Sequence, residues 1–349
     1  MPMDNRRSRV QRLLSALRGH RRVGILGHDN PDPDSIASSL GLSRLLSRSL
    51  MLEAPILYSG IVGRTENRML LKKLGIRLQR VSKATLEKCD GVILVDTQPA
   101  GGNNSLPPSV RPLAVIDHHP VGGELGDIPY VDIRPSYGAT ATIVFEYLLT
   151  AGVPLDRDVA TTLFYGIKAE TLELARRATA AEVKAYTHLF PLVDLRALAA
   201  IQHPKVSRLY FEDTRAAMER AFLYDGVIIS DVSTCSSPDF VPEMADSLFR
   251  LEGVAWSICL GVFGDDLYVS VRTNERDADA GELVQRAMGD LGTAGGHDAM
   301  AGGRIRSLPA APREREALIR RVKDRFLEAL GVERRAPVKL LAWRERVAS

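Results

Sequence analysis

Short, uninterrupted apolar runs alternate with amphipathic stretches through the first half of the chain. Val23-Gly24-Ile25-Leu26 reads as a buried strand, followed by a loop and then a helix over 35–46. Gly91-Val92-Ile93-Leu94-Val95 and Leu113-Ala114-Val115-Ile116 repeat the theme. Strands that are apolar at every position, set between helices, argue for a parallel sheet covered on both faces. Residues 141–150 and 159–167 carry apolar side chains at helical spacing, and Gly152 supplies a stop after the first. The pattern predicts a doubly wound, mainly parallel α/β domain.

The second half reads differently. A helical, charge-mixed stretch over 192–220 serves as a connector and a candidate hinge. Strand patterns follow at 226–229, 254–263 and 267–271, with Gly264-Asp265-Asp266 as a hairpin turn. A helix over 278–291 and a glycine-rich loop complete a smaller C-terminal α/β domain. The expected boundaries are a first domain at 1–191, the connector at 192–220, a second domain at 221–332 and a basic tail at 333–349.

Composition narrows the classes. A chain of 349 residues is long for one core, which supports two domains. No run approaches the roughly 18 apolar residues of a membrane span. The basic segment 1–22 lacks an apolar signal core, so export is not expected. Cys89, Cys235 and Cys259 are odd in number and far apart, which suits buried thiols in a reducing cytoplasm better than disulfides or a zinc cluster. A net charge of +3 makes no case for duplex DNA, and the basic ends at 6–22 and 334–346 read as solvated helices.

The chemistry collects where predicted strands end. The first runs into His28-Asp29-Asn30-Pro31-Asp32-Pro33-Asp34-Ser35, the second into Asp96, the third into Asp117-His118-His119. In an open parallel sheet the carboxyl ends of the strands line one crevice, so these groups should converge. Crowded carboxylates repel unless cations neutralise them, which points to a metal site. His28 and Asp32 can reach one cation, Asp34 points toward a second, and Asp96 is placed to bridge them. Mixed imidazole and carboxylate ligands favour Mn²⁺, with Fe, Co and Mg as alternatives, over an all-oxygen calcium site. Two such ions suit an in-line phosphoryl displacement. His20, His188 and His203 have no partners at ligand spacing and read as structural or exposed, and Trp256 and Tyr268 as sheet-packing residues. Arg64 and Asn67 are candidates to reach the site, as is a helix N-terminus within 136–142 facing a phosphate.

These motifs resemble the DHH phosphoesterase superfamily. The His28–Ser35 loop is similar to its first motif, Val95-Asp96-Thr97 to its second and Asp117-His118-His119 to its third. Gly295-Gly296-His297-Asp298-Ala299-Met300-Ala301-Gly302-Gly303 resembles the glycine-histidine motif of the DHH-associated C-terminal domain. The resemblance runs from about Val23 to Leu330, closest to the nano-RNase and 3′-phosphoadenosine 5′-phosphate phosphatase branch.

By position, the resemblance makes His28 and Asp32 ligands of one metal, Asp34 and His118 ligands of the other, and Asp96 the bridge. His119 would meet the scissile phosphate, and Asp117 would orient the histidine pair. Gly166-Ile167-Lys168-Ala169-Glu170-Thr171 departs from the fourth motif, because Glu170 stands where the family has Asp. Glutamate supplies the same charge one methylene further out and is taken as the sixth ligand. Arg272 and the Gly295-Gly296-His297 segment would grip a terminal phosphate, with the active site in a cleft between the domains. The expected function is two-metal hydrolysis of short oligoribonucleotides, linear dinucleotides or 3′-phosphoadenosine 5′-phosphate, in a cytoplasmic enzyme that is a candidate homodimer. A manganese-dependent inorganic pyrophosphatase is the alternative enzyme, although the basic Ser-Arg-Lys-Lys-type motif of that branch is missing. A nucleotide-binding sensor with weak turnover is the alternative of another class.

Overall fold

In a computed structural model of the chain the described residues are 3–297, 299–332 and 337–343. They divide into two compact units, Met1–Pro204 and Lys205–Ser349.

The first unit is built as α1 (Met3–Ala16), β1 (Val23–Leu26), α2 (Pro33–Leu50), β2 (Ile56–Tyr58), α3 (Thr65–Lys73), β3 (Leu78–Arg80), α4 (Lys83–Leu86), β4 (Gly91–Val95), β5 (Ala114–Asp117), β6 (Tyr130–Ile133), α5 (Thr140–Thr150), α6 (Arg157–Glu170), α7 (Ala180–Leu189) and α8 (Leu195–Gln202). Its six strands are all parallel, in the order β3-β2-β1-β4-β5-β6. The order reverses between β1 and β4, where the connections diverge and a crevice opens at the carboxyl ends.

Apolar residues at successive strand positions serve opposite faces. Ile25, Ile93, Val95 and Ile116 join the large core with α1, α2, α5 and α6. Leu26, Val92, Leu94 and Val115 form a smaller core closed by Val81, Leu86, Leu106 and Val110, from loops and the short α4. Both faces are therefore covered, one by helices and the other mostly by irregular chain. The close packing of α2 on α6 depends on Gly166, where a Cβ would lie 2.6 Å from the Ala37 Cβ and 3.0 Å from the Pro33 carbonyl oxygen.

The second unit contains α9 (Arg208–Glu219), β7 (Ala221–Tyr224), β8 (Val227–Thr234), α10 (Phe240–Leu248), β9 (Trp256–Phe263), β10 (Asp266–Thr273), α11 (Ala280–Met288), β11 (Thr293–His297), β12 (Met300–Ile305), α12 (Pro312–Ala329) and β13 (Val338–Lys339). The seven strands run in the order β11-β12-β10-β9-β8-β7-β13. Among the described residues β8 and β9 are its one parallel pair. Helices α11 and α12 pack on one face and α9 and α10 on the other. The stretch read as a connector thus divides, α8 belonging to the first unit and α9 to the second.

One expectation needs correction. The glycine-rich segment is a strand pair rather than a loop, with Gly296 opposite Ala301 and His297 opposite Met300. Glycines carry no side chain to signal a strand, so their density hid the pairing. Gly296 sits at φ 143°, and a Cβ there would lie 2.4 Å from the Ala301 Cα. Of the tail at 333–349, only 337–343 is described, and it adds β13 to the edge of the sheet.

The α2–α6 contact gives a direct test. Gly166→Ala should destabilise the chain by about 1–2 kcal/mol in chemical denaturation, because overpacking outweighs the gain in helix propensity. Ala37→Gly in the same chain should recover part of that loss. A neutral or stabilising Gly166→Ala would show that the helices are not held at this distance.

Candidate metal centre

Strands β1, β4 and β5 are neighbours, and each delivers functional side chains from its carboxyl end. After β1 the chain turns through Asn30 at φ 58°, whose side chain accepts from the Ile61 N–H at 2.9 Å. Asp32 then caps α2, its Oδ1 accepting from the Ser35 N–H at 2.9 Å, with Pro33 opening the helix and Asp34 in its first turn. After β4, Asp96 adopts the left-handed region at φ 59°, and its N–H donates to the Ile116 carbonyl at 2.9 Å. β5 ends on Asp117, followed by His118 and His119.

These elements bring most of the expected ligands together. His28 Nε2 lies 3.5 Å from Asp32 Oδ1 and 3.6 Å from Asp96 Oδ2. His118 Nε2 lies 3.7 Å from Asp96 Oδ1 and 3.9 Å from Asp34 Oδ2. His119 Nδ1 lies 3.8 Å from Asp96 Oδ1. Two ligands each roughly 2.1 Å from one ion are never more than about 4.2 Å apart, so these separations fit shared cations. Among the described residues two groups could each hold an ion, His28 with Asp32 and Asp96, and Asp96 with His118 and His119, and Asp96 is common to both.

Backbone carbonyls set the imidazole orientations. His28 Nδ1 faces the Asp29 carbonyl at 2.9 Å, and His118 Nδ1 faces that of Tyr137 at 3.2 Å. Both contacts leave Nε2 for a metal, the arrangement expected of metal-binding histidines. Asp117 Oδ1 accepts from the backbone N–H groups of His118 and His119 at 2.7 and 3.1 Å and pairs with His119 Nδ1 at 2.9 Å.

Electrostatics set what the crowding costs without a cation. Asp34 and Asp96 are each 1% exposed. Burial lifts both well above the ordinary carboxylate range, and neighbouring carboxylates, Asp32 among them, lift them further. For His28, burial disfavours the charge, but the charge and hydrogen bond of Asp32 outweigh it and push the imidazole up to about 9. Burial also opposes the charge of Asp32, which His28 nevertheless holds below its usual range. His118 is pushed down to about 4 by burial and by His119, so it stays neutral, as a ligand must. In His119 burial is outweighed by Asp117, which raises its pKa. A divalent cation would reverse the repulsion among the acids.

The expected phosphate-binding helix start is occupied from within the chain. Asp34 accepts from the Thr140 and Ala141 N–H groups at the start of α5, both at 2.8 Å, and so takes the place of a phosphate there. Two residues escaped sequence reasoning. Thr140 donates its hydroxyl to Asp96 Oδ1 at 2.8 Å. Gln98 donates to Asp117 Oδ2 at 2.8 Å and to the His119 and Pro120 carbonyls. The only sequence signal for Gln98 was its place two residues after Asp96. Asn67 donates to the Pro31 carbonyl at 3.3 Å and so braces the ligand loop.

Asp34 stands outside both ligand groups, 3.9 Å from His118 Nε2, as does Glu170 at the end of α6. Arg176 Nη2 donates to its Oε1 at 3.1 Å and to its carbonyl at 2.7 Å. Burial, then the charge of Asp32, pushes Glu170 up to about 7, so it stands within the field of the cluster. In the second unit, Arg272 is buried, pairs with Asp246 and donates to the Ser270 hydroxyl at 2.8 Å. Gly295 and Gly296 are exposed on β11. Arg272 and His297 both register with Met300, so their backbones share one end of the sheet. The His297 side chain and Asp298 lie outside the described part of the structure. His20 Nδ1 faces the Leu17 carbonyl, His188 packs edge-on to Phe145 and His203 is exposed, all away from the ligand groups.

Comparison with known proteins gives a consistent picture. Residues 22–167 match the DHH family, N-terminal domain, and residues 225–328 match the DHHA1 domain. An uncharacterized protein of Methanocaldococcus jannaschii is 31% identical over 315 residues, covering 88% of this chain and 64% of that protein. A probable manganese-dependent inorganic pyrophosphatase of Bacillus licheniformis is 33% identical over 152 residues, 43% of this chain and 48% of the relative. The chain therefore spans about half to two thirds of the length of these relatives. The crystal structure of an exopolyphosphatase-related protein from Bacteroides fragilis shares the fold, with a TM-score of 0.68 at 14% identity over 92% of this chain and 97% of that one. Among the described residues no helix is long and apolar enough to cross a membrane.

The buried acids predict an inverted stability effect. Raised carboxylate pKa values favour the protonated forms, so their contribution to stability is present at acid pH and lost as pH rises through those values. In metal-free protein, Asp96→Asn should raise the melting temperature near neutral pH by roughly 2–4 °C per kcal/mol of repulsion relieved. The difference should vanish toward acid pH, where Asp96 is protonated. A variant less stable than wild type at every pH would contradict this electrostatic reading.

Proposed function

Since the chain belongs to the DHH phosphoesterase superfamily, we propose that it is a two-metal phosphoesterase acting on short oligoribonucleotides, linear dinucleotides or 3′-phosphoadenosine 5′-phosphate. The observation that carries this reading is the sharing of Asp96 between two ligand groups at the carboxyl ends of adjacent parallel strands. His28 and Asp32 would hold one ion, Asp34 and His118 the other, with Asp96 common to both and Mn²⁺ the favoured metal. When bound, such ions lower the pKa of water and stabilise charge on phosphoryl oxygens during in-line displacement.

The chain's own residues account for the rest. Held by Asp117, which raises its pKa, His119 would present an imidazole N–H to a phosphoryl oxygen. Asp117 positions it, with Gln98 fixing Asp117 from the other side. Glu170 is the proposed sixth ligand, its carboxylate exchanging Arg176 for a cation. Arg272, Gly295, Gly296 and His297 are proposed to hold a substrate's terminal phosphate, Arg272 exchanging Asp246 for it. Three free cysteines, two of them buried, are in keeping with a reducing, cytoplasmic setting.

A second reading, inorganic pyrophosphate hydrolysis, draws on the similarity of the first unit to the pyrophosphatase. That similarity covers 43% of this chain, and residues 225–328 match the DHHA1 domain instead, which favours the nucleotide reading.

The test is Mn²⁺-dependent turnover of the dinucleotide pApA, 3′-phosphoadenosine 5′-phosphate and pyrophosphate. We expect mononucleotide release from pApA that falls by at least about 100-fold in Asp96→Ala. Glu170→Gln should lower metal content and turnover together. Turnover of pyrophosphate alone would replace the substrate assignment, and no turnover with metal bound would overturn the enzyme reading.

A further inference from the structure

The second unit has a cavity of about 470 Å³ whose charge no part of the phosphoesterase reading uses. It lies at the carboxyl end of β8, where the register with β9 shifts between Asp231 and Thr234 and Ser233 takes φ 61°. The start of α12 forms another wall. The lining carries four cationic side chains, Arg220, Arg315, Arg320 and Lys323, against two carboxylates, Asp231 and Glu316.

The charges are organised. Asp231 is buried and accepts from Lys323 Nζ at 3.0 Å, with Arg220 Nη2 at 3.7 Å, so one acid fixes two cations at the strand end. Arg315 Nε donates to the Pro309 carbonyl at 3.2 Å, which anchors that guanidinium beside the helix start. No ion pair involves Arg320 among the described residues. Helix α12 is 18 residues long, begins with Pro312, and its N-cap, Ala311, makes no side-chain hydrogen bond. Its first turn therefore keeps N–H groups without a side-chain acceptor from the cap, and Glu314 in the same turn offsets only part of their positive potential. This helix start reinforces an already cationic cavity.

We propose that this cavity binds a compact, multiply charged oxyanion of the phosphate or pyrophosphate class. Its volume lies within the roughly 300–1,000 Å³ of small-molecule sites. None of its lining side chains is aromatic, so it offers an anion its charge and a base no aromatic stacking partner. The site is distinct from the Arg272 end of the same sheet. Through Ser257, Arg272 registers with Ile228, near the start of β8. Asp231 and Thr234 lie three and six residues further along, roughly 10–20 Å away.

Isothermal titration of the full chain with inorganic pyrophosphate, at low ionic strength and with EDTA present, tests the assignment without loading the metal centre. One saturable site is expected, weakened by added salt. Arg320→Gln should weaken it roughly tenfold, while Glu316→Gln, which removes a repelling carboxylate, should tighten it. Asp96→Asn and His297→Ala should leave it unchanged, and AMP should bind more weakly than pyrophosphate. The proposal is overturned by an absence of saturable binding, by affinities indifferent to both the Arg320 and Glu316 substitutions, or by loss of binding in His297→Ala. Tighter binding of AMP than of pyrophosphate would overturn recognition by the oxyanion alone. Metal-dependent turnover by the Arg320→Gln chain keeps any of these outcomes separate from the phosphoesterase reading.

Discussion

Acidic side chains converge on a buried point where two of them, Asp34 and Asp96, lie almost wholly out of water. Much of the first unit follows from how that crowding is handled. Carboxylates can be brought so close only if their charge is met by protons, donors or cations. The chain supplies donors in quantity, the Thr140 hydroxyl to Asp96 and two backbone N–H groups of α5 to Asp34. Its imidazoles do not match so many acids, because His28 is pushed up to about 9 while burial drives His118 down to about 4 and leaves that ring neutral. Divalent cations complete the account. An all-parallel sheet makes the arrangement feasible, because only there do the ends of β1, β4 and β5 open on the same side.

The same acids are structural parts. Asp32 caps α2, and Asp34 satisfies the first N–H groups of α5, so two helices begin on residues that are also proposed ligands. Stability and function thus share atoms in this unit, which is why a neutral isostere at Asp96 can stabilise the metal-free fold while removing its chemistry. Glu170 sits at a further junction of this kind. Beyond it Leu172, Glu173 and Leu174 take φ values of 46°, 59° and 69°, a left-handed run that costs roughly 1 kcal/mol or more per residue. The run is held by Glu173 N–H to the Lys168 carbonyl and Arg176 N–H to the Thr171 carbonyl, both at 2.8 Å, and it returns Arg176 to Glu170.

How much of this could be read from residues alone depended on range. β1 and β4 were legible because all their positions are apolar, and the ligand loop because two prolines among its acids make a poor generic turn. β2, β3 and β6 leave no such signal. They are three or four residues long, and in Leu78-Gln79-Arg80 two of the three residues are exposed, which erases the pattern of a buried strand. Thr140 acts on a residue 44 positions away, a contact that only the packing of α5 against the sheet creates. The helix start within 136–142 looks open to phosphate in sequence, because spacing does not show that Asp34 fills it. The glycine-rich stretch resembles a loop in sequence because its pairing resides in backbone register and leaves no mark in side-chain polarity.

The central claim is that two cations share Asp96. The most direct measurement is electron paramagnetic resonance of the full chain titrated with Mn²⁺, alongside a count of bound metal. The account predicts two ions per chain and a spin-coupled spectrum that collapses to isolated Mn²⁺ when Asp96 is replaced by Ala. Two uncoupled ions, or a single ion whose binding is indifferent to Asp96, would contradict it.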